Sequence, residues 1–275
     1  MEQVGWRSVW DGVVEIPVSG RFRKPRNRGL TMVMDKGMGL YETSELLSMA
    51  GGYIDYIKLA FGTPALYNGE ILQKKIDLIR SNKIHVYPGG TFFEIAVLQN
   101  RMEAFLEKLA ELGFTAVEVS DGTVPISPDM RHRAIEMAAG AGFQVLSEVG
   151  KKDPSDNLTV DQIVLQLESD IESGVHKVIM EARESGLGIG IFNDRGEIKK
   201  EQFAELLAKI PDVGVIIWEA PLKKQQQELI LTFGPNVNLG NVPPAEVLAL
   251  ESLRVGLRGD TLKPMIRPGL TDTKL

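Results

Sequence analysis

The sequence predicts an α/β fold, a single closed (β/α)8 TIM barrel, and three observations carry that prediction. Short apolar runs rich in Val, Ile, Phe and Trp recur along the chain, each too brief for a helix and each reading as a buried parallel strand. Amphipathic helical stretches alternate with them, as strand–helix–strand units require. Four glutamates close four successive runs at nearly the same place: Glu118 in AVEVSDG, Glu148 in FQVLSEVGKK, Glu181 in KVIMEARESG and Glu219 in GVIIWEAP, spaced 30, 33 and 38 residues apart. The 275 residues match the roughly 250 of one such barrel. A doubly wound open sheet is the alternative, but eight evenly spaced units favour closure.

Residues 1–28 read as an N-terminal extension. Its segment Arg21–Arg28 carries five cations in eight residues, and is either an anion-binding arm over the active site or a neighbouring subunit, or a solvated tail. Residues 29–261 form the catalytic barrel and 262–275 a C-terminal tail. The strand candidates are 30–35, 53–59, 83–87, 115–120, 143–149, 175–181, 213–219 and 236–241. Glu94–Leu112 shows a 3.6-residue apolar stripe and is predicted as one helix. Leu158–Ser173 repeats the stripe, with Thr159 as N-cap. Gly113, Gly142 and Gly174 each stand between a helix and a strand, where a left-handed stop is needed.

Composition narrows the function. A net charge of −6 argues against nucleic acid or an anionic membrane as partner. Without cysteine there is no disulfide, thiolate zinc site or cysteine nucleophile, which fits a reducing cytoplasm. No run approaches the ~18 apolar residues of a membrane span, and the first residues lack the order of a signal peptide. The chain is therefore expected to be soluble and cytoplasmic.

Strand ends of such a barrel converge on one mouth, where the chemistry sits. By parity Glu118 shares a face with Ser120, Glu148 with Leu146 and Glu181 with Arg183. If the apolar faces meet the helices, these glutamates face the barrel axis. Carboxylates so gathered repel unless cations intervene, and Mg2+ suits oxygen ligands together with a phosphorylated substrate. The candidate metal ligands are Asp35, Glu118, Glu148, Glu181 and Glu219. Cations are interleaved at Lys36, Lys58, Lys151, Lys152 and Arg183, as an anionic substrate would need. The turn Tyr87-Pro-Gly-Gly-Thr91 leads into a helix, with Thr91 as a possible cap. Arg183–Gly190 is glycine-rich enough for a mobile flap. His85, His132 and His176 lack metal-pair spacing and read as structural.

The stretches GLTMVMDKG (29–37), GGYIDYIKLAFGT (51–63), VYPGGTFFE (86–94), GFTAVEVSDG (113–122), SEVGKKD (147–153), EARESG (181–186), WEAPLKKQQ (218–226) and LRVGLRGDT (253–261) resemble the phosphosulfolactate synthase family. The resemblance implies a Mg2+-dependent lyase that adds sulfite to phosphoenolpyruvate, giving (2R)-phospho-3-sulfolactate. It also implies a homo-oligomer and a link to sulfolactate or coenzyme M biosynthesis. Lys152 is then the general acid, with Lys151 as fallback, its pKa lowered by neighbouring cations. Lys36, Lys58 and Arg183 would hold the anions, and the Tyr87, Gly89 and Gly90 turn would add backbone donors. The alternatives are a non-catalytic barrel like the heat-stress-associated plant relatives, or another Mg2+-dependent, enolase-like or aldolase barrel acting on a phosphorylated acid.

Overall fold

Each apolar run yields one strand of four to six residues: β1 (Thr31–Asp35), β2 (Tyr56–Leu59), β3 (His85–Pro88), β4 (Ala116–Val119), β5 (Gln144–Val149), β6 (Lys177–Met180), β7 (Ile216–Glu219) and β8 (Leu239–Val242). The structure, a computed structural model, describes residues 9–265 except 154, 155, 157 and 211. The strands pair in parallel in the order β3-β2-β1-β8-β7-β6-β5-β4. At the seam between β3 and β4, Thr115 N–H donates to Val86 O at 3.1 Å and Val86 N–H to Thr115 Oγ1 at 3.0 Å. The eight strands thus form a nearly closed (β/α)8 barrel.

The helices are α1 (Leu40–Ala50), α2 (Gly69–Ser81), α3 (Gly90–Leu98), α4 (Met102–Leu112), α5 (Pro128–Gly140), α6 (Val160–Glu172), α7 (Lys200–Lys209), α8 (Lys223–Phe233), α9 (Val247–Arg254) and α10 (Gly259–Met265). The N-cap of α6 is a reciprocal box: Thr159 Oγ1 accepts from Gln162 N–H and Gln162 Oε1 from Thr159 N–H. Gly113, Gly142 and Gly174 take φ of 82°, 86° and 100°, as the predicted stops require. None of the helices among the described residues is long and apolar enough to cross a membrane.

Two local expectations change. The single helix over 94–112 is two, because Asn100 takes φ 55° between α3 and α4 and breaks the helical ladder. Gly89, not Thr91, caps α3, which begins at Gly90. Strands β2 and β7 also start later than their apolar runs, behind 3-10 turns at Gly51–Tyr53 and Val213–Val215. Before β7 the Asp212 carboxylate accepts from Gly214 N–H at 2.8 Å, a local bond that competes with the sheet ladder.

Strand parity sorts the core into two. Outward residues such as Val33, Ile57, Val117, Val145, Val178 and Trp218 pack under the helices. Inward residues Leu30, Met32, Tyr56, Tyr87, Ala116, Leu146, Ile179 and Ile217 form a separate apolar layer inside the barrel. Two residues further along, one layer higher, come Met34, Lys58, Glu118, Glu148, Glu181 and Glu219. The barrel is therefore plugged below and charged above.

The basic arm lies at the opposite end from that charged layer. Arg21 pairs with Glu251 at 2.8 Å, Arg26 with Asp55 at 2.7 Å and Arg28 with Asp212 at 3.0 Å. Lys24 Nζ donates to Gly51 O at 3.1 Å. Asp55 and Asp212 precede β2 and β7, so the arm fastens the entry ends of strands. It is neither a solvated tail nor an arm over the catalytic mouth. Residues 1–8 of the extension and 266–275 of the tail lie outside the described residues.

Candidate active site

The inward residues at the strand ends meet around two lysines. Lys58 Nζ, from β2, lies 3.0 Å from Glu118 Oε2, 3.3 Å from Glu219 Oε1 and 3.6 Å from Glu148 Oε2. Lys152 Nζ lies 2.7 Å from Glu148 Oε1, 3.4 Å from Glu181 Oε2 and 3.8 Å from Glu94 Oε1. All five carboxylates are at most 1% exposed. Glu118, Glu148, Glu181 and Glu219 line a cavity of about 180 Å³, with Lys58, Lys152, Arg183 and the Gly89–Thr91 turn, smaller than the roughly 300 Å³ at the low end of drug-sized sites. It suits a small metabolite.

Charge balance sets the protonation. Burial would lower Lys58, but Glu118, Glu219 and Glu148 outweigh it and hold its pKa well above the usual value. Burial also opposes charge on Lys152, and Glu148 and Glu181 override it in the same direction. The expected lowering of the Lys152 pKa therefore does not occur, because its nearest partners are anions. Glu148, which burial would raise, is held below the usual carboxylate range by Lys152 and Lys58. Burial pushes Glu118 up to about 7, against the pull of Lys58, with Glu148 adding repulsion. Burial, reinforced by Glu148 and Glu219, lifts Glu181 well above its ordinary value.

Such a cluster carries more negative charge than its two lysines cancel. Oxygens of Glu148, Glu181 and Glu219 lie within 4.8 Å of one another. Glu148 Oε2 and Glu181 Oε2 are buried without a hydrogen-bond partner. Ligands about 2.1 Å from a Mg2+ ion stand at most about 4.2 Å apart, so small rotations would complete the set. The residues fit a hard divalent cation.

Other predicted residues lie elsewhere. Asp35 has outward parity with Val33 and pairs with Lys75 of α2 at 2.5 Å, both side chains fully buried; it does not join the carboxylate group. Lys151 Nζ bonds Asp121 Oδ2 at 2.6 Å and Asp121 O at 2.9 Å, outside the cluster. Lys36 is half exposed and pairs with Glu184. Tyr87 belongs to the apolar layer below, its hydroxyl against Met32 Sδ. The Tyr87–Gly90 turn does not offer its glycine donors, because Gly89 N–H is taken by Leu59 O and Gly90 N–H by Glu118 Oε1 at 2.7 Å. The segment 183–190 is pinned: Gln225 Nε2 donates to Gly186 O at 2.7 Å and Lys199 Nζ to Gly190 O at 3.0 Å.

Four further residues belong to the site. Glu94 Oε2 accepts from Thr123 and Val124 N–H, and Ser120 Oγ lies 2.5 Å from Glu94 Oε1 and 2.8 Å from Glu148 Oε1. Glu94 is the one charged residue in the helix GTFFEIAVL, a signal available in the sequence. Phe61 and Asn241 line the cavity. Three of the five non-glycine residues with positive φ among the described residues, Phe61, Arg183 and Asn241, line it; strained backbone gathers at functional sites.

Gly90 is fixed by contact. A Cβ there would sit 2.5 Å from Ser120 Cβ and 2.6 Å from Glu118 Oε1. Gly90→Ala is expected to cost about 1–3 kcal/mol of stability, as overpacking does, measured by urea unfolding. A variant as stable as the parent would show that α3 retreats without strain.

The model of the (2R)-phospho-3-sulfolactate synthase family matches residues 19–260, taking in the basic arm as well as the barrel. A phosphosulfolactate synthase from Methanothermobacter thermautotrophicus is 48% identical over 88% of this chain and 94% of its own length. One from Bacillus subtilis is 36% identical over 91% of this chain and 98% of its own. The solved YdjI aldolase of Escherichia coli K12 superposes with a TM-score of 0.53 at 10% identity, over 87% of this chain and 89% of that one, a likeness of fold alone. Matched along nearly its whole length to relatives of that activity, the chain belongs to the (2R)-phospho-3-sulfolactate synthase family and is an enzyme of the lyase kind.

Proposed function

We propose that the chain joins sulfite to phosphoenolpyruvate to give (2R)-phospho-3-sulfolactate, with Mg2+ as cofactor. The observation that carries the proposal, beyond family membership, is the ring of buried carboxylates around Lys58 and Lys152 at the barrel mouth. In this reaction the sulfur lone pair forms a bond to C3, and the C2=C3 electron pair moves toward C2 and into the carboxylate. A proton delivered to C2 from one face completes the addition. Lys152 is the donor in this reading. Its anionic neighbours keep it protonated, and its side chain is 25% exposed, so it can recover a proton from solvent.

Lys58 takes a different part from the one its sequence position suggests. With three carboxylates within 3.6 Å, it holds the acidic ring together and is not a free anion receptor. Arg183, whose Nη1 donates to Lys152 O at 3.3 Å and whose side chain lines the cavity, is the better phosphate ligand. Glu148, Glu181 and Glu219 would hold Mg2+, which when bound supplies Lewis acidity toward charge on the substrate carboxylate.

The test is phosphorus and proton NMR of phosphoenolpyruvate incubated with the protein, with and without sulfite. Sulfite-dependent formation of phosphosulfolactate is the expected result. Consumption without sulfite would move the chain to an enolase-like chemistry. EDTA is expected to abolish turnover and added Mg2+ to restore it; full turnover in chelator would remove the metal from the mechanism.

A further inference from the structure

Above the cavity stands an ion pair that the proposed chemistry does not use. Lys36 Nζ, just past β1, lies 2.8 Å from Glu184 Oε2, with the two side chains 56% and 47% exposed. The same ammonium sits 5.9 Å from the centre of the Phe61 ring. Glu184 lines both the 180 Å³ cavity and a neighbouring recess of about 580 Å³, which Lys36, Met38, Pro221 and Pro244 help to wall. Phe61 lines only the cavity and Lys36 only the recess. The pair therefore stands at the boundary between the two spaces, over an aromatic ring.

A carboxylate at the mouth of a site for anions repels its own substrate unless a cation cancels it. Glu184 is cancelled by Lys36, and a pair this exposed is held only weakly. An incoming phosphate offers three acceptor oxygens and more charge than a carboxylate, so it competes well for one ammonium. We propose that Glu184 is a stand-in anion that keeps Lys36 poised at the mouth, and that a phosphorylated carboxylic acid arriving through the recess displaces it. The identity of that acid rests on the function proposed above; the exchange itself needs only a phosphate-bearing anion.

Calorimetric titration of the full chain, in the presence of Mg2+ and without sulfite, tests the exchange with phosphoenolpyruvate and, separately, inorganic phosphate. Glu184→Gln is expected to bind about three-fold tighter, the value of an exposed ion pair removed from competition. Lys36→Met is expected to bind at least about ten-fold weaker, as loss of a charged hydrogen bond implies. Both side chains are half exposed, so both variants should fold. Glu184→Gln binding no tighter than the parent, or Lys36→Met binding equally well, would overturn the proposal, as would no binding of either probe by any of the proteins. The expected order with inorganic phosphate but no affinity for phosphoenolpyruvate would keep the exchange and sink the proposed substrate.

Discussion

Lys152→Ala is expected to fold and to lose at least about 100-fold in turnover, the usual range for a positioned general acid. The side chain is a quarter exposed and reaches in from beyond β5, so its removal opens no core cavity. It does leave Glu148 and Glu181, both buried, without their shared cation. The variant is therefore expected to bind Mg2+ at least as well as the parent, which separates loss of a proton donor from loss of the metal. Lys151→Ala is the control, because that ammonium is committed to Asp121. If the two substitutions reduced turnover equally, or Lys152→Ala left it unchanged, the proton would come from elsewhere.

Lys58→Met is expected to act on the fold as well as on the chemistry. Methionine keeps the volume but strands Glu118, Glu148 and Glu219, each at most 1% exposed, around an apolar tip. Removing one partner of a buried pair typically costs about 3–5 kcal/mol. Urea unfolding in EDTA should show a loss of that order, and added Mg2+ should return part of it by supplying positive charge. A loss below about 1 kcal/mol would mean that the carboxylates take up protons without penalty and that Lys58 is no keystone.

Much of this architecture was legible because strand periodicity is strict. Once Leu146 and Ile179 are taken as inward, Glu148 and Glu181 must follow, and the ring is fixed by counting in twos. The same counting, applied to Asp35, points it outward with Val33, where Lys75 waits on α2; sign and position along the chain had suggested otherwise. Parity could not separate Lys151 from Lys152, because they follow the strand, where a loop decides which one turns inward; only the family resemblance favoured Lys152. Glu94 escaped because it arrives from a helix, and Asn241 because an amide gives no charge signal. The arm was opaque for another reason: its acidic partners lie 29, 184 and 230 residues away, and composition alone cannot name partners at that range.

That distance bears on how the chain assembles. Arg21 pairs with Glu251 on α9, 230 residues later. Contacts so remote in sequence form late, after the intervening entropy has been surrendered. The Arg21 contact is thus among the last to settle, on a barrel whose eighth strand is already home, whereas Arg26 needs only Asp55, 29 residues on. Arg21 and Glu251 clasp like a buckle, so a chain cut short before residue 251 loses that clasp and is left with the ties of Arg26 to Asp55 and Arg28 to Asp212.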